Sequence, residues 1–210
     1  MYEEDESLAQ RAQAGDRQAF AALAEKHTRV VYSLCLRMVA NSADAEDLTQ
    51  ETFLRLFSSL GQYRLGSGLR PWLCRIAINR CLDVLRKKRR RLQMIPLDGG
   101  SPDLSEELNL PSDEPSPEQA YVRWEQRQAV LEAVSSLPPE YRAVVVLRYQ
   151  EDMSYQEIAV ALGVPTTTVE TRLFRAKRML RPMLDDYAQS SCTRGVQLSG
   201  KEARKYGMQA

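Results

Sequence analysis

The sequence contains a single histidine, His27, and four cysteines, Cys35, Cys74, Cys81 and Cys192, with no C-x-x-C pair among them. A structural zinc site needs four nitrogen or sulfur ligands at close spacings, so zinc is set aside and the cysteines read as ordinary reduced thiols. Cys74 and Cys81 are seven residues apart and share one helix face, expected to point inward. His27, between Lys26 and Thr28, reads as a surface residue. No Gly-rich phosphate loop or H-E-x-x-H motif is present, and no serine or cysteine pairs credibly with the one histidine. The adjacent carboxylates Glu106 and Glu107 lie in a Pro-rich segment that would not fix their geometry. The chain is therefore expected to be no enzyme, with no cofactor, no metal and no small-molecule substrate.

Long apolar runs are missing as well. Nothing approaches the roughly 18 consecutive apolar residues that span a bilayer, and the start "MYEEDESLAQ" is acidic where a secretory signal would be basic and then apolar. A soluble cytoplasmic protein is expected. The 43% of apolar residues is nonetheless enough to build real cores.

Charge is nearly balanced in total, at +1, but unevenly placed. Residues 1–92 carry sixteen Lys and Arg against eleven Asp and Glu, and end on the cationic run "RKKRRR" at Arg86 to Arg91. From Gln93 to Val122 there are seven acids and no Lys or Arg, with five of the ten prolines and a Gly-Gly pair. Neither helical nor strand periodicity can continue through such a segment. On either side of it the pattern is helical, with no Asn-Gly or Asp-Gly hairpin signal. The expected architecture is all-α: two small helical domains joined by a flexible acidic linker, the second containing a helix-turn-helix. Boundaries fall at 1–92, 93–119 for the linker, 120–187, and 188–210 for a mobile tail.

In the first domain, "SLAQRAQAG" reads as a helix stopped near Gly15, and one or two longer helices start near Asp16. The next helix begins at Asn41 or Ser42, either able to cap it, with Asp44, Glu46 and Asp47 favourably placed against the helix dipole. Its inner stripe is Ala45, Leu48, Thr52, Leu56 and Leu60, which turns out Asp47, Gln50, Glu51 and Leu54. An acidic face with an exposed leucine suits a protein partner or plain solvent better than DNA. After the glycine-rich stretch "GQYRLGSGLR", a helix from Arg70 or Pro71 buries Leu73, Ile76, Ala77, Cys81 and Val84 or Leu85. That phase turns out Arg75, Asn79, Arg86 and Arg90, residue types that suit nucleic-acid edges and phosphates. Tyr63 and Trp72 offer stacking surfaces for unpaired bases, though Trp72 fits a core equally well.

In the second domain, "SPEQAYVRWEQRQAVLEAVSSL" reads as an amphipathic helix ending before Pro138 and Pro139, and "PEYRAVVVLRYQED" forms the next. Ser154 and Glu157 have capping-box spacing, Gly163 stops that helix, and Pro165 with three threonines opens another whose inner face is Val169, Leu173, Ala176 and Leu180. Two short helices joined by a Gly-containing turn are the helix-turn-helix signature. The opposite face of the second helix collects Thr167, Thr171, Phe174, Arg175 and Arg178, with Glu170 and Lys177 at its edge. Arginines there can bond guanine bidentately and threonines can touch thymine methyls. A solvated bundle helix is the plainer alternative.

Taken together, "ADAEDLTQETFLRLF", "WLCRIAINRCLDVLRKKRR", "LPPEYRAVVVLRYQEDMSYQEIAVALGV" and "TVETRLFRAKRML" resemble, in order and across about residues 7 to 185, bacterial RNA polymerase sigma factors of the extracytoplasmic-function type. The resemblance implies a factor that binds core RNA polymerase, through the β′ clamp helices and the β subunit, and directs initiation at promoter DNA. The first domain would melt and read the −10 element and the second would read the −35 element. By position, Asp47, Gln50, Glu51 and Phe53 or Leu54 would dock on polymerase. Tyr63, Trp72, Arg75 and Asn79, followed by Arg86 and Arg90, would handle the opened strand. Thr167, Thr168, Glu170, Thr171, Arg172, Phe174, Arg175 and Arg178 would meet the −35 duplex. An anti-sigma factor is an implied partner. One departure stands out, since relatives commonly read G-T-V, then Lys or Arg, then Ser, where this chain has Thr167, Thr168, Val169, Glu170 and Thr171. An acid there can accept a hydrogen bond from cytosine N4, so the usual −35 sequence is not assumed. The rival reading, from another class, is an autonomous helix-turn-helix repressor or activator.

Overall fold

In a computed structural model the described residues are 2–66, 68–92 and 128–193. They are helical, with no strand among them. The order is α1 (Tyr2–Gln13), α2 (Arg17–Val39), α3 (Ser42–Ser59), a short 3-10 turn (Leu60–Gln62), α4 (Leu69–Leu92), α5 (128–136), α6 (Pro139–Tyr149), α7 (Tyr155–Leu162) and α8 (Thr166–Thr193). The expected linker lies outside the described residues, as does the tail beyond Thr193. Helix α8 itself continues past the boundary expected at 187. No helix of the described residues is long and apolar enough to cross a membrane.

Local chemistry sets the helix ends. Asp16 caps α2 by accepting from the amides of Gln18 and Ala19, and the same carboxylate holds Arg11 at 2.6 Å. These bonds keep its pKa below the ordinary carboxylate value, the amide of Ala19 first and Arg11 next. Helix α2 is one continuous element that closes on Ala40, in the left-handed region at φ 53°. Asn41 then caps α3 through the amide of Asp44. The capping box of α7 forms in both directions, with Ser154 Oγ accepting from the Glu157 amide and the Glu157 carboxylate accepting from the Ser154 amide. Gly163 ends α7 at φ 65°, a conformation that costs glycine little.

The first core forms where α2, α3 and α4 meet. All five residues of the α3 stripe, Ala45, Leu48, Thr52, Leu56 and Leu60, are buried. Thr52 is tolerated there because its hydroxyl donates to the Leu48 carbonyl at 2.7 Å, leaving no unpaired polar atom. Truncating Leu56 to alanine would cost about 2 to 5 kcal/mol, the usual range for a buried leucine. The second core closes Val144, Leu147, Ile158, Val169, Leu173, Ala176 and Leu180 among α6, α7 and α8.

The two regions also pack on each other: α7 lies on α4, and α6 lies against α2 and α4. Helix α4 is accordingly buried on a wider arc than its own core needs. Besides Leu73, Ala77 and Cys81, a second stripe of Cys74, Ile78 and Leu82 is covered. Polar groups mark this contact. The Arg142 guanidinium of α6 donates to the carbonyl of Met38 at the end of α2, and also to those of Ser135 and Leu137. Glu151 reaches α4, where its carboxylate accepts from Arg70 at 2.9 Å and from the Cys74 thiol at 3.9 Å.

His27 departs from its expected place. It is 6% exposed, with Nε2 lying 3.2 Å from Asp5 Oδ2, though not aligned as a hydrogen bond. Helix α1 supplies Asp5, which also pairs with Lys26 at 2.7 Å, so the acidic start of the chain covers the imidazole. Burial is the main cause holding the His27 pKa below its ordinary value, with Asp5 opposing it.

Candidate nucleic-acid interface

Three faces of the expected site stay open. On α3, Asp47, Gln50 and Leu54 are exposed, Leu54 at 71%, while Glu51 and Phe53 are half-buried. Glu51 is held by Arg80 of α4 at 2.5 Å, and Phe53 packs partly against the core. Phe57 prolongs this face as a second exposed apolar residue, seated edge-on against Phe20. Its signal was in the sequence: 47, 50, 54 and 57 alternate three and four apart, the spacing of one helical stripe.

Helix α4 exposes Arg75, Asn79, Arg86 and Arg90, as its phase predicts. Within the basic run, Arg86 pairs with Asp83 at 3.2 Å and Lys88 with Asp44 of α3, so part of that charge is balanced within the chain. Lys87, Arg89 and Arg90 remain exposed.

At the head of this face the aromatics divide. Trp72 is half-buried in the first turn of α4. Tyr63 is only 5% exposed, with its ring 5.1 Å from that of Trp72 and its hydroxyl donating to Glu6 at 2.5 Å. It is thus placed in the core rather than as an open stacking platform. The sequence carries no local signal for this, because Glu6 lies 57 residues away. The residues that follow Tyr63, Arg64 and Leu65, are exposed instead.

In the helix-turn-helix, Thr167, Glu170, Thr171, Phe174, Arg175 and Arg178 are exposed opposite buried Val169, Leu173 and Ala176. Phe174 is 69% exposed, an apolar side chain at the centre of a polar face. Thr168 and Arg172 are half-buried at its margin. Thr171 donates to the Thr167 carbonyl at 2.8 Å, which fixes its hydroxyl on the helix's own backbone.

The described thiols lie on buried sides of their helices, away from the exposed side chains of these faces. Cys35, Cys74 and Cys81 are buried and free. Burial and then Glu151 push the Cys74 pKa up, and a hydrogen bond with Cys35 followed by burial does the same for Cys81. Held as neutral thiols, Cys74 and Cys81 are poor nucleophiles at neutral pH.

Known proteins match this arrangement region by region. Residues 23–91 match the family model "Sigma-70 region 2" and residues 127–180 match "Sigma-70, region 4". The chain is 34% identical over 172 residues to the ECF RNA polymerase sigma factor SigW of Bacillus subtilis, covering 82% of this chain and 92% of that one. It is 40% identical over 163 residues to the ECF RNA polymerase sigma factor SigE of Mycolicibacterium smegmatis, covering 77% of this chain and spanning 60% of that relative's length. Among solved structures, CnrH in complex with the cytosolic domain of CnrY superposes with a TM-score of 0.61 at 24% identity, over 87% of this chain and 98% of that one, a likeness of fold. With both regions matched in order and nearly the whole of SigW covered, the chain belongs to the extracytoplasmic-function sigma factors of RNA polymerase.

Proposed function

We propose that the chain is a cytoplasmic specificity subunit without catalytic activity, which binds core RNA polymerase and selects promoters. The α3 face with Asp47, Gln50, Glu51, Phe53 and Leu54 docks on the polymerase β′ clamp helices. Arg75, Asn79, Arg86 and Arg90, with Trp72 at their head, hold the opened −10 strand. Thr167, Thr168, Glu170, Thr171, Arg172, Phe174, Arg175 and Arg178 address the −35 duplex. The observation that carries this reading is the pairing of two separate exposed faces, acidic-apolar on α3 and Arg/Asn on α4, in a region distinct from the helix-turn-helix. A regulator acting through the helix-turn-helix alone has no use for either.

Melting follows from differential binding. Duplex DNA hides its base edges, so a factor that binds the opened strand better than the duplex shifts the balance towards opening by that difference. Stacking an unpaired base on an aromatic contributes about 1 to 3 kcal/mol, comparable with the few kcal/mol that unstacking a base costs, and no ATP is required. Cations on α4 add phosphate affinity, each contact steepening the dependence of log affinity on log salt by roughly 0.7 to 0.9. An anti-sigma factor is the regulatory partner in this reading.

The test is run-off transcription with core polymerase, with and without the protein, on a promoter library. Initiation that depends on the protein and selects both elements is expected. Tight binding of the protein alone to symmetric duplex sites, without any effect on polymerase, would establish the autonomous regulator instead.

A further inference from the structure

The stretch from Leu60 to Gly66 joins the docking helix α3 to the strand-facing helix α4, and four of its polar groups are anchored from a third helix. Its anchors come from α1. The Glu6 carboxylate accepts from the Tyr63 hydroxyl at 2.5 Å with one oxygen and from the Gly66 amide at 3.0 Å with the other. About two turns further along α1, Gln13 Nε2 donates to the carbonyls of Leu60 and Tyr63, both at 2.8 Å. Two side chains of one helix thus satisfy two donors and two acceptors of a single short stretch. Gly66 lies at φ 86°, so the chain reverses there in a conformation that side-chain-bearing residues avoid.

Pinning Tyr63 inward decides what faces out. Tyr63 packs on Trp72, and by helical phase Trp72 lies within about 60° of the side of α4 that presents Arg75 and Asn79. The next two residues, Arg64 and Leu65, are exposed at that end, Leu65 at 47%. A short stretch left to itself would have to be ordered each time the opened strand bound, which weakens recognition of every sequence and blurs the differences among them. A stretch already fixed can reject a poorly fitting base.

We propose that Glu6 and Gln13 are positioning residues for −10 selectivity: from α1 they hold Leu60–Gly66 as a preformed edge that presents Arg64 and Leu65 to the opened strand. The inference rests on the reading of α4 as the strand-facing helix. It gives α1, which lies before the matched region 2, a part in promoter choice.

The experiment uses holoenzyme assembled from core polymerase and the full chain, on duplex promoters carrying each single-base change in the −10 element. Initiation is scored as the ratio between the best sequence and each variant. Glu6→Ala is expected to lower these ratios by about fivefold to tenfold at one or two positions, with polymerase affinity unchanged and −35 preference intact. Glu6→Gln keeps one oxygen acceptor and is expected to recover part of the loss, whereas Gln13→Ala should lower the ratios at the same positions. Unchanged ratios in Glu6→Ala, whatever its total activity, overturn the proposal. Should that variant not fold, Tyr63→Phe removes only the donated hydroxyl, and unchanged ratios there overturn it equally. A wild-type holoenzyme that shows no −10 preference at all would instead remove the strand-facing reading of α4, and this inference with it.

Discussion

Replacing Arg70 by alanine should loosen the packing of one region on the other rather than unfold either. The Glu151 side chain is 6% exposed and its carboxylate meets Arg70 at 2.9 Å, while the Arg70 side chain remains 38% exposed. Breaking a fully buried pair by removing one partner costs about 3 to 5 kcal/mol, because the remaining charge has lost its water and its counter-ion. A fully exposed pair is worth about 0 to 1 kcal/mol. With one member buried and the other more than a third exposed, the coupling should fall between these limits, at about 1 to 2 kcal/mol. That corresponds to about a fivefold to thirtyfold change in the balance between packed and parted regions. After Arg70→Ala, Glu151 keeps only the weak Cys74 thiol, and regains water if α7 leaves α4.

A double-mutant cycle over Arg70→Ala and Glu151→Ala measures this coupling directly, read as the midpoint of urea unfolding and as fluorescence transfer between dyes on α2 and α8. Arg70→Ala alone should widen the distribution of dye separations, and the double variant should be less perturbed than the sum of the singles. A coupling below about 0.3 kcal/mol together with unchanged separations would refute the reasoning, since the pair would then be an exposed contact in all but appearance.

Other expectations follow from the same geometry. Asp47→Ala combined with Gln50→Ala removes two exposed α3 side chains, and should weaken capture of core polymerase at least tenfold with unchanged helical content; equal capture would clear that face of a docking role. Arg175→Ala should reduce −35-dependent initiation by about fivefold to 150-fold, matching about 1 to 3 kcal/mol for a bidentate base contact, but spare a pre-melted template. Equal losses on both templates would take Arg175 out of duplex reading. For His27 the sign is set by its depressed folded-state pKa: the unfolded chain takes up the proton first, so stability is fully present above pH of about 6.5 and falls as pH drops below it. His27→Gln should flatten the urea midpoint between pH of about 7.5 and 5.5, and parallel curves for the two proteins would show that burial of this imidazole carries no such cost.

Periodic features of the fold were legible in the sequence, and contacts without a period were not. The α3 stripe from Ala45 to Leu60 and the inner face of α8 from Val169 to Leu180 repeat at three and four residues, so their burial could be read one helix at a time. The caps at Asp16, Asn41 and Ser154, and the stop at Gly163, depend on neighbours within three or four residues and were equally accessible. His27 and Tyr63 were not, for one shared reason. Both are covered by carboxylates of α1, Asp5 and Glu6, and the run "EEDE" has the composition of a solvated helix start. Nothing local distinguishes a carboxylate in water from one that accepts a tyrosine hydroxyl 57 residues away. The packing of α7 on α4 left a partial trace: Cys74, Ile78 and Leu82 form a second apolar stripe beside the first, more than a helix with one buried side requires.

That second stripe bears on how the chain can work at a promoter. Helices α4 and α8 both pack on α7, and packed helices lie about 8 to 10 Å apart, so the axes of the two helices proposed to meet the −10 strand and the −35 duplex come within about 20 Å of each other. Elements named for positions about 25 base pairs apart are separated by about 85 Å along B-form DNA at 3.4 Å per step. On the proposed assignment the packed arrangement cannot engage both elements of an extended promoter at once, and the contact between the regions has to open. Covalent connection permits this, because the 35 residues from 93 to 127 can reach at most about 115 to 125 Å when extended. Opening parts Glu151 from Arg70 and Cys74, so this pair and the packing of α7 on α4 resist it jointly. The free energy of opening has to come from binding polymerase and promoter, and the α3 face proposed to dock on polymerase is exposed while the regions are closed.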